Sequence, residues 1–238
     1  VNRRELASKI WPRFSKRVES LNWNARYWQW LRRHKAPHYS SRYALHLAVF
    51  EGYVEGDIDL LEFGVWEGKS LTDFSQLTES DGSTLYGFDS FEGLPHGAGD
   101  WKAGQFGVDT MPKFEDPRVT LIKGWFQDTL PDFIEHHLAV WGSPQTDRQL
   151  VVHIDCDLHS SVMFVLSTLD RLLEPGSIIF FDELSVAEEE FRALIDWSDA
   201  FMRNYRVLGT FNKLGRIEGA ALMIEHADLD PRKRESLG

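Results

Sequence analysis

Two acid pairs, Asp155-Cys156-Asp157 and Asp182-Glu183, each follow directly on a short apolar run in this 238-residue chain. Carboxylates brought together at one place repel one another unless a cation sits among their oxygens. An all-oxygen donor set favours Mg²⁺, Mn²⁺ or Ca²⁺ over zinc. One carboxylate of such a group can stay free of metal and act as a general base. The alternative is a set of separate caps and surface acids, which the repeated placement after apolar runs makes the weaker reading. His159 is placed to serve as a base or orienting group beside the acids, or equally as a helix-start residue. His153 alternates with apolar neighbours and reads as a core histidine. Cys156 between two acids has a disfavoured thiolate and is a poor nucleophile.

A second set lies upstream. Glu62-Phe-Gly-Val-Trp-Glu-Gly68 is a turn with glycines at Gly64 and Gly68. Gly64 allows a sharp bend, and Gly68 allows a ligand to approach a helix start. The full dinucleotide glycine pattern is absent. Gly68-Lys69-Ser70 lacks the upstream glycine of a phosphate-binding loop, since Phe63 stands there. Asp89, 25 residues after Gly64, can accept hydrogen bonds from ribose hydroxyls. Its other reading is a helix N-cap or turn aspartate.

These residues need elements to hold them. Apolar runs at Ile58–Val65, Leu85–Phe88, Val119–Ile122, Leu150–Ile154, Ser177–Phe181, Tyr205–Leu208 and Ala220–Ile224 predict strands. Helical spacing covers Tyr43–Gly52, Gly68–Leu77, Thr129–Val140, Ser160–Leu173 and Val186–Met202. Strands alternating with helices predict an α/β, Rossmann-like, mainly parallel sheet covered on both faces. Ligands of such folds bind beyond the carboxyl ends of the strands, where the acids sit. Residues 92–117 lack any period, and so long an irregular stretch inside a domain points to function or mobility.

Composition narrows the classes. The net charge is −11, yet residues 1–50 hold eleven Lys/Arg against two Asp/Glu. So acidic a body is a poor nucleic-acid binder. No apolar run is long enough to span a bilayer. The first residues lack the apolar core of a secretory signal, and one cysteine excludes an internal disulfide. A reducing, cytoplasmic setting is the simplest expectation. Residues 1–42 form a basic arm with Trp11, Trp23, Trp28 and Trp30. It is expected as helices packed on the acidic body, opposite charges facing, or as a lid or homo-oligomer contact. The main domain is expected over 43–225, with a polar tail over 226–238.

Four ordered motifs carry a family resemblance: Leu61–Ser70, Tyr86–Pro95, Lys123–Pro131 and His153–Ser161. Together they resemble the class I S-adenosylmethionine-dependent methyltransferases of the macrocin O-methyltransferase type, which modify sugars on natural products. The resemblance implies a seven-stranded sheet with an antiparallel last strand, S-adenosyl-L-methionine, and Mg²⁺ (or Mn²⁺) beside it. It implies that Glu62, Gly64, Gly68 and Ser70 lie at the methionine part, with Asp155 beside the cofactor too. Asp89 would hold the ribose, with Ser90 and Phe91 next to it and Trp125 and Phe126 near the adenine. Asp155, Asp182 and Glu183 would bind the metal, and Asp157 would deprotonate the hydroxyl of a sugar-containing acceptor. The chain departs from the usual pattern with Glu183 in place of an aspartate and His159 where a tyrosine is common. A cephalosporin-hydroxylase-like or other metal-dependent enzyme on this fold, and a non-catalytic adenosine-ligand binder, are the alternative readings.

Overall fold

The computed structural model describes residues 3–97, 101–141, 148–213 and 216–226, with side chains except at 3–14, 16, 138–141, 213 and 216. Trp11 and the tail beyond 226 therefore lie outside the described side chains. The chain runs α1 (Arg3–Arg33), β1 (His38–Tyr39), α2 (Arg42–Tyr53), β2 (Ile58–Phe63), α3 (Lys69–Leu77), β3 (Thr84–Asp89) and β4 (Val119–Lys123). It continues through α4 (Phe126–Trp141), β5 (Gln149–Ile154), α5 (His159–Leu169), β6 (Ile178–Phe181), α6 (Glu190–Ala200), β7 (Asn204–Lys213) and β8 (Arg216–Glu225).

The sheet order is β1-β7-β8-β6-β5-β2-β3-β4. Every pairing is parallel except those of β8 with β6 and β7. The antiparallel last strand is thus as expected, but the sheet has eight strands rather than seven. The extra strand is two residues long, pairs His38 with Thr210, and follows Pro37, whose carbonyl accepts from Thr210 N–H at 2.9 Å. So short a run leaves no periodicity to read.

β2 is buried at every residue because both faces are covered. Ile58 and Leu60 pack with α2 and α3 through Val49 and Phe74, while Leu61 and Phe63 pack on the opposite side with α4, α5 and α6. α6 begins at Glu190, four residues later than its pattern suggests. The residues before it form turns instead, and Glu189 Oε2 accepts from His159 N–H at 2.7 Å.

The arm is seated by aromatic packing more than by charge. Trp23, Tyr27 and Trp30 are buried around Phe191, with ring centroids 6.5, 5.2 and 5.9 Å away in edge-on geometry. Such pairs add to area burial. Among the described side chains, Arg26 reaches Asp199 at 3.9 Å, in Arg192–Glu19 the base belongs to the body, and Arg42 at the end of the arm pairs with Asp155 and Asp182. Val18, Leu21 and Trp28 stay exposed on the helix. Trp30 Nε1 also donates to Tyr205 Oη at 2.9 Å. Trp30→Phe, which deletes that bond and some volume, is expected to cost about 1–2 kcal/mol in urea unfolding.

Candidate active site

The chain reverses direction in the sheet order at β2 and β5, which are hydrogen-bonded neighbours. Helices leave them on opposite sides, so their carboxyl ends open a crevice. Residues following β2, β3, β4, β5 and β6 all line one cavity of about 510 Å³ there. Of the residues expected at the site, Gly64, Ser70, Asp89, Ser90, Trp125, Phe126, Asp155, Asp157, Asp182 and Glu183 reach it.

Gly64 makes the crevice possible. Its φ is +93°, and a Cβ there would lie 1.8 Å from the Asp155 carbonyl oxygen. Only glycine lets the β2 turn lie against the tip of β5. Gly68 works differently from its expectation. It caps α3 at φ +79°, and the neighbours a Cβ would strike are Phe114 at 2.7 Å and Pro112 at 3.1 Å. It therefore admits Pro112 and Phe114, from the stretch between β3 and β4. That segment is tied by Leu94 N–H to Gln105 O at 2.9 Å, and Leu94, Pro95, His96 and Phe106 wall the cavity.

Glu62 lies beneath the cavity rather than in it. It is fully buried, accepts from Ser70 Oγ, and pairs with His153 Nδ1 at 3.0 Å. His153 is the core histidine expected, although among the described residues its Nε2 has no hydrogen-bond partner. Phe91 is also displaced from its expected role: its ring is in the core, and its N–H donates to Asp89 Oδ1 at 2.7 Å. Val65 and Trp66 N–H donate to Asp89 Oδ2 at 2.8 and 2.9 Å. Three of the roughly four lone-pair sites of a carboxylate are then filled. One such site on Asp89 stays unfilled by these three donors.

Opposite Asp89, the β5 and β6 tips adjoin. Asp155 Oδ2 and Asp182 Oδ2 lie 3.3 and 2.9 Å from one atom, Arg42 Nη1. Burial, with Asp182 alongside, pushes the Asp155 carboxyl well above the usual range, against the pull of Arg42. Asp157 is buried at φ +62°, a left-handed conformation uncommon outside glycine. Its N–H donates to Glu190 Oε1 at 3.3 Å, while Glu183 N–H donates to Glu190 Oε2 at 3.0 Å. Glu190 is fully buried, and burial raises its carboxyl well above the ordinary value. One side chain thus ties both acid-bearing tips. Burial likewise raises the Cys156 thiol, as expected of an inert cysteine. His159 does not stand among the acids. Its Nε2 lies 3.0 Å from Asp196 Oδ2 on α6, and it is the first residue of α5, which is the helix-start reading rather than that of a base or orienting group.

The metal expectation was tested on the same atoms. The potential ligand atoms that fall within 4.8 Å of one another belong to His153, Asp155 and Asp182, and Glu183 is not among them. Arg42 occupies the carboxylate oxygens that would face an ion. With Arg42 against both carboxylates, the group would offer an ion two oxygens and one imidazole nitrogen. Arg42 and Glu190 were missed from sequence. Arg42 passes for the last cation of the basic arm, and Glu190 for one acid of a helix pattern.

Among the described residues no helix is long and apolar enough to cross a membrane. A family model described as "Methyltransferase domain" matches residues 61–184, a span from β2 to the tip of β6. The chain is 31% identical over 150 residues to a tetracenomycin-C rhamnosyl 4'-O-methyltransferase of Streptomyces olivaceus, covering 54% of this chain and 53% of that one. It is 25% identical over 169 residues to demethyldecarbamoylnovobiocin O-methyltransferase of Streptomyces niveus, covering 59% and 60%. The chain thus spans little more than half the length of these relatives. The solved calicheamicin methyltransferase CalS11 superposes with a TM-score of 0.55 at 25% identity, covering 76% of each chain. These likenesses agree with the resemblance carried by the four motifs, and the chain belongs to the methyltransferase-domain family.

Proposed function

We propose that this chain is an O-methyltransferase that moves a methyl group from S-adenosyl-L-methionine to a hydroxyl of a sugar-containing small molecule. The observation that carries the reading is the convergence of Gly64, Asp89 and Asp157 on one cavity at the sheet's switch point. When bound, the donor supplies an electrophilic methyl on a cationic sulfonium. The lining offers a complementary field, with Asp89, Asp155, Asp157, Asp182 and Glu183 against Arg42 and Lys69. In this reading the Gly64 turn receives the methionine part. Asp89 accepts from the ribose, and Trp125 and Phe126 flank the adenine. Asp157 takes the acceptor's proton as its oxygen bonds to the methyl carbon and the carbon–sulfur bond breaks. Most of the rate comes from holding oxygen, carbon and sulfur in line, with proton removal assisting.

A second hollow of about 530 Å³ adjoins the first and shares Trp66, Glu67 and Phe106 with it. Trp66 is 47% exposed and meets Phe106 edge-on at 5.7 Å. An aromatic face beside the acids Glu67 and Asp109 suits the apolar faces and hydroxyls of a sugar ring. The two curated relatives are named for O-methylation of a rhamnosyl tetracenomycin and of demethyldecarbamoylnovobiocin, which supports that acceptor class. The magnesium implied by the motif resemblance is left out of this reading because Arg42 holds the acids.

S-adenosylhomocysteine at about a hundred times its dissociation constant is expected to stabilise the chain by roughly 2.7 kcal/mol. Differential scanning fluorimetry will read this as a rise in Tm that NAD and ATP do not reproduce. The absence of any shift with the adenosyl ligand would overturn the proposal.

A further inference from the structure

We propose that Arg42 is the resident cation of this site: its guanidinium takes the place of a divalent ion between Asp155 and Asp182, and the chain works without one. Four observations converge on it. Two carboxylate oxygens from adjoining strand tips lie within 3.3 and 2.9 Å of a single Nη1. Asp182 is buried, and among the described residues its other oxygen, Oδ1, has no hydrogen-bond partner. The acid pair therefore leans on Arg42 rather than on a polar shell. The third ligand atom within reach is a nitrogen of fully buried His153, a poor complement for Mg²⁺, which prefers oxygens and keeps waters.

The fourth observation concerns how Arg42 is held. It is the first residue of α2, just after the Ser41 cap, and no acid occupies that first turn. A cation at a helix N-terminus opposes the helix dipole. Nothing local to the helix favours arginine there, so its placement answers to the acids across the sheet. The two-residue β1, paired with β7, fixes the chain immediately before it. Arginine keeps its charge at any working pH and is more weakly hydrated than an ammonium. It can therefore neutralise Asp155 and Asp182 permanently, leaving proton removal to Asp157. This goes beyond the methyl-transfer reading and depends on it only for Asp157's role.

Manganese(II) is the probe, titrated into the full chain and read as free ion by electron paramagnetic resonance. The wild type is expected to leave the free-ion signal unchanged. Arg42→Ala opens the acid pair and is expected to take up about one ion per chain, as a site of two carboxylates can. Adding Asp182→Asn to that variant removes the uptake, and Arg42→Lys, which keeps the charge, stays as blind as the wild type. Uptake by the wild type that Asp182→Asn abolishes would overturn the proposal. So would a folded Arg42→Ala that takes up nothing, because Arg42 would then be an ordinary ion pair. Should Arg42→Ala fail to fold, Arg42→Gln, which keeps more of the side chain but not its charge, takes its place with the same two outcomes. Running S-adenosylhomocysteine melts in parallel separates the two readings: no ligand shift with the manganese results as expected sinks the methyl donor and leaves Arg42 standing.

Discussion

Asp157→Asn is expected to lower kcat by about 10²–10⁴-fold, the usual worth of a positioned general base, while binding of S-adenosylhomocysteine is retained. Asparagine is the right probe for three reasons. It nearly matches aspartate in shape. It tolerates the φ of +62° that the tip of β5 demands. It also leaves the backbone N–H that donates to Glu190 Oε1 untouched. Asp157→Ala would add strain of about 1–2 kcal/mol at that left-handed residue and mix a structural loss with a chemical one. The measurement pairs kcat across pH with an S-adenosylhomocysteine titration. Activity surviving within a fewfold of wild type would move the base away from Asp157. Lost binding of the neutral product would instead make Asp157 part of the scaffold.

The strand tips were legible because each strand is an apolar run that stops at a charged or glycine residue, and a parallel α/β sheet puts all such stops at one edge. Glu62-Phe-Gly, Phe88-Asp89, Ile154-Asp155 and Phe181-Asp182 all follow this rule. Their convergence also needed β5 to lie beside both β2 and β6, which follows from the right-handed crossovers of the fold. What was not legible depends on partners far along the chain. Gly68 was read against a ligand because nothing local says that Phe114 would come to rest on it. His159 was read with the acids two residues away, whereas Asp196 on α6 claims its imidazole. Arg42 lies 113 and 140 residues from the acids it bridges, and no spacing rule spans that distance. Glu62 shows a subtler limit. Its position after an apolar run matched the other acids, but alternation along β2 turns its side chain under the sheet to Ser70 and His153.

Glu190→Ala is expected to lose about 2–4 kcal/mol, because it orphans the buried Asp157 N–H, at about 1–3 kcal/mol, and the half-buried Glu183 N–H, which costs less. That is a large share of a total stability of about 5–15 kcal/mol. Glu190→Gln should fall between the two, since its amide can accept one N–H but presents a donor to the other. The pH dependence separates this from simple cavity formation. Burial raises the folded-state carboxyl well above its ordinary value of 4.5, so the folded chain keeps a proton that the unfolded chain has released. The unfolded state then binds fewer protons in that window, and stability falls as pH rises. The contribution is complete below 4.5 and is lost on the way up through the raised value. Glutamine carries no such titration, so the advantage of wild type over Glu190→Gln must shrink with rising pH. Asp155 is raised in the same direction but is common to both proteins and largely cancels in the difference. Urea unfolding of the three proteins across that window reads both effects. A difference between wild type and Glu190→Gln that stays flat with pH, or an alanine variant as stable as wild type, would remove Glu190 as the tie between the two tips. If the tie is real, Glu190→Ala also loses methyl transfer, because Asp157 and Glu183 no longer share an anchor.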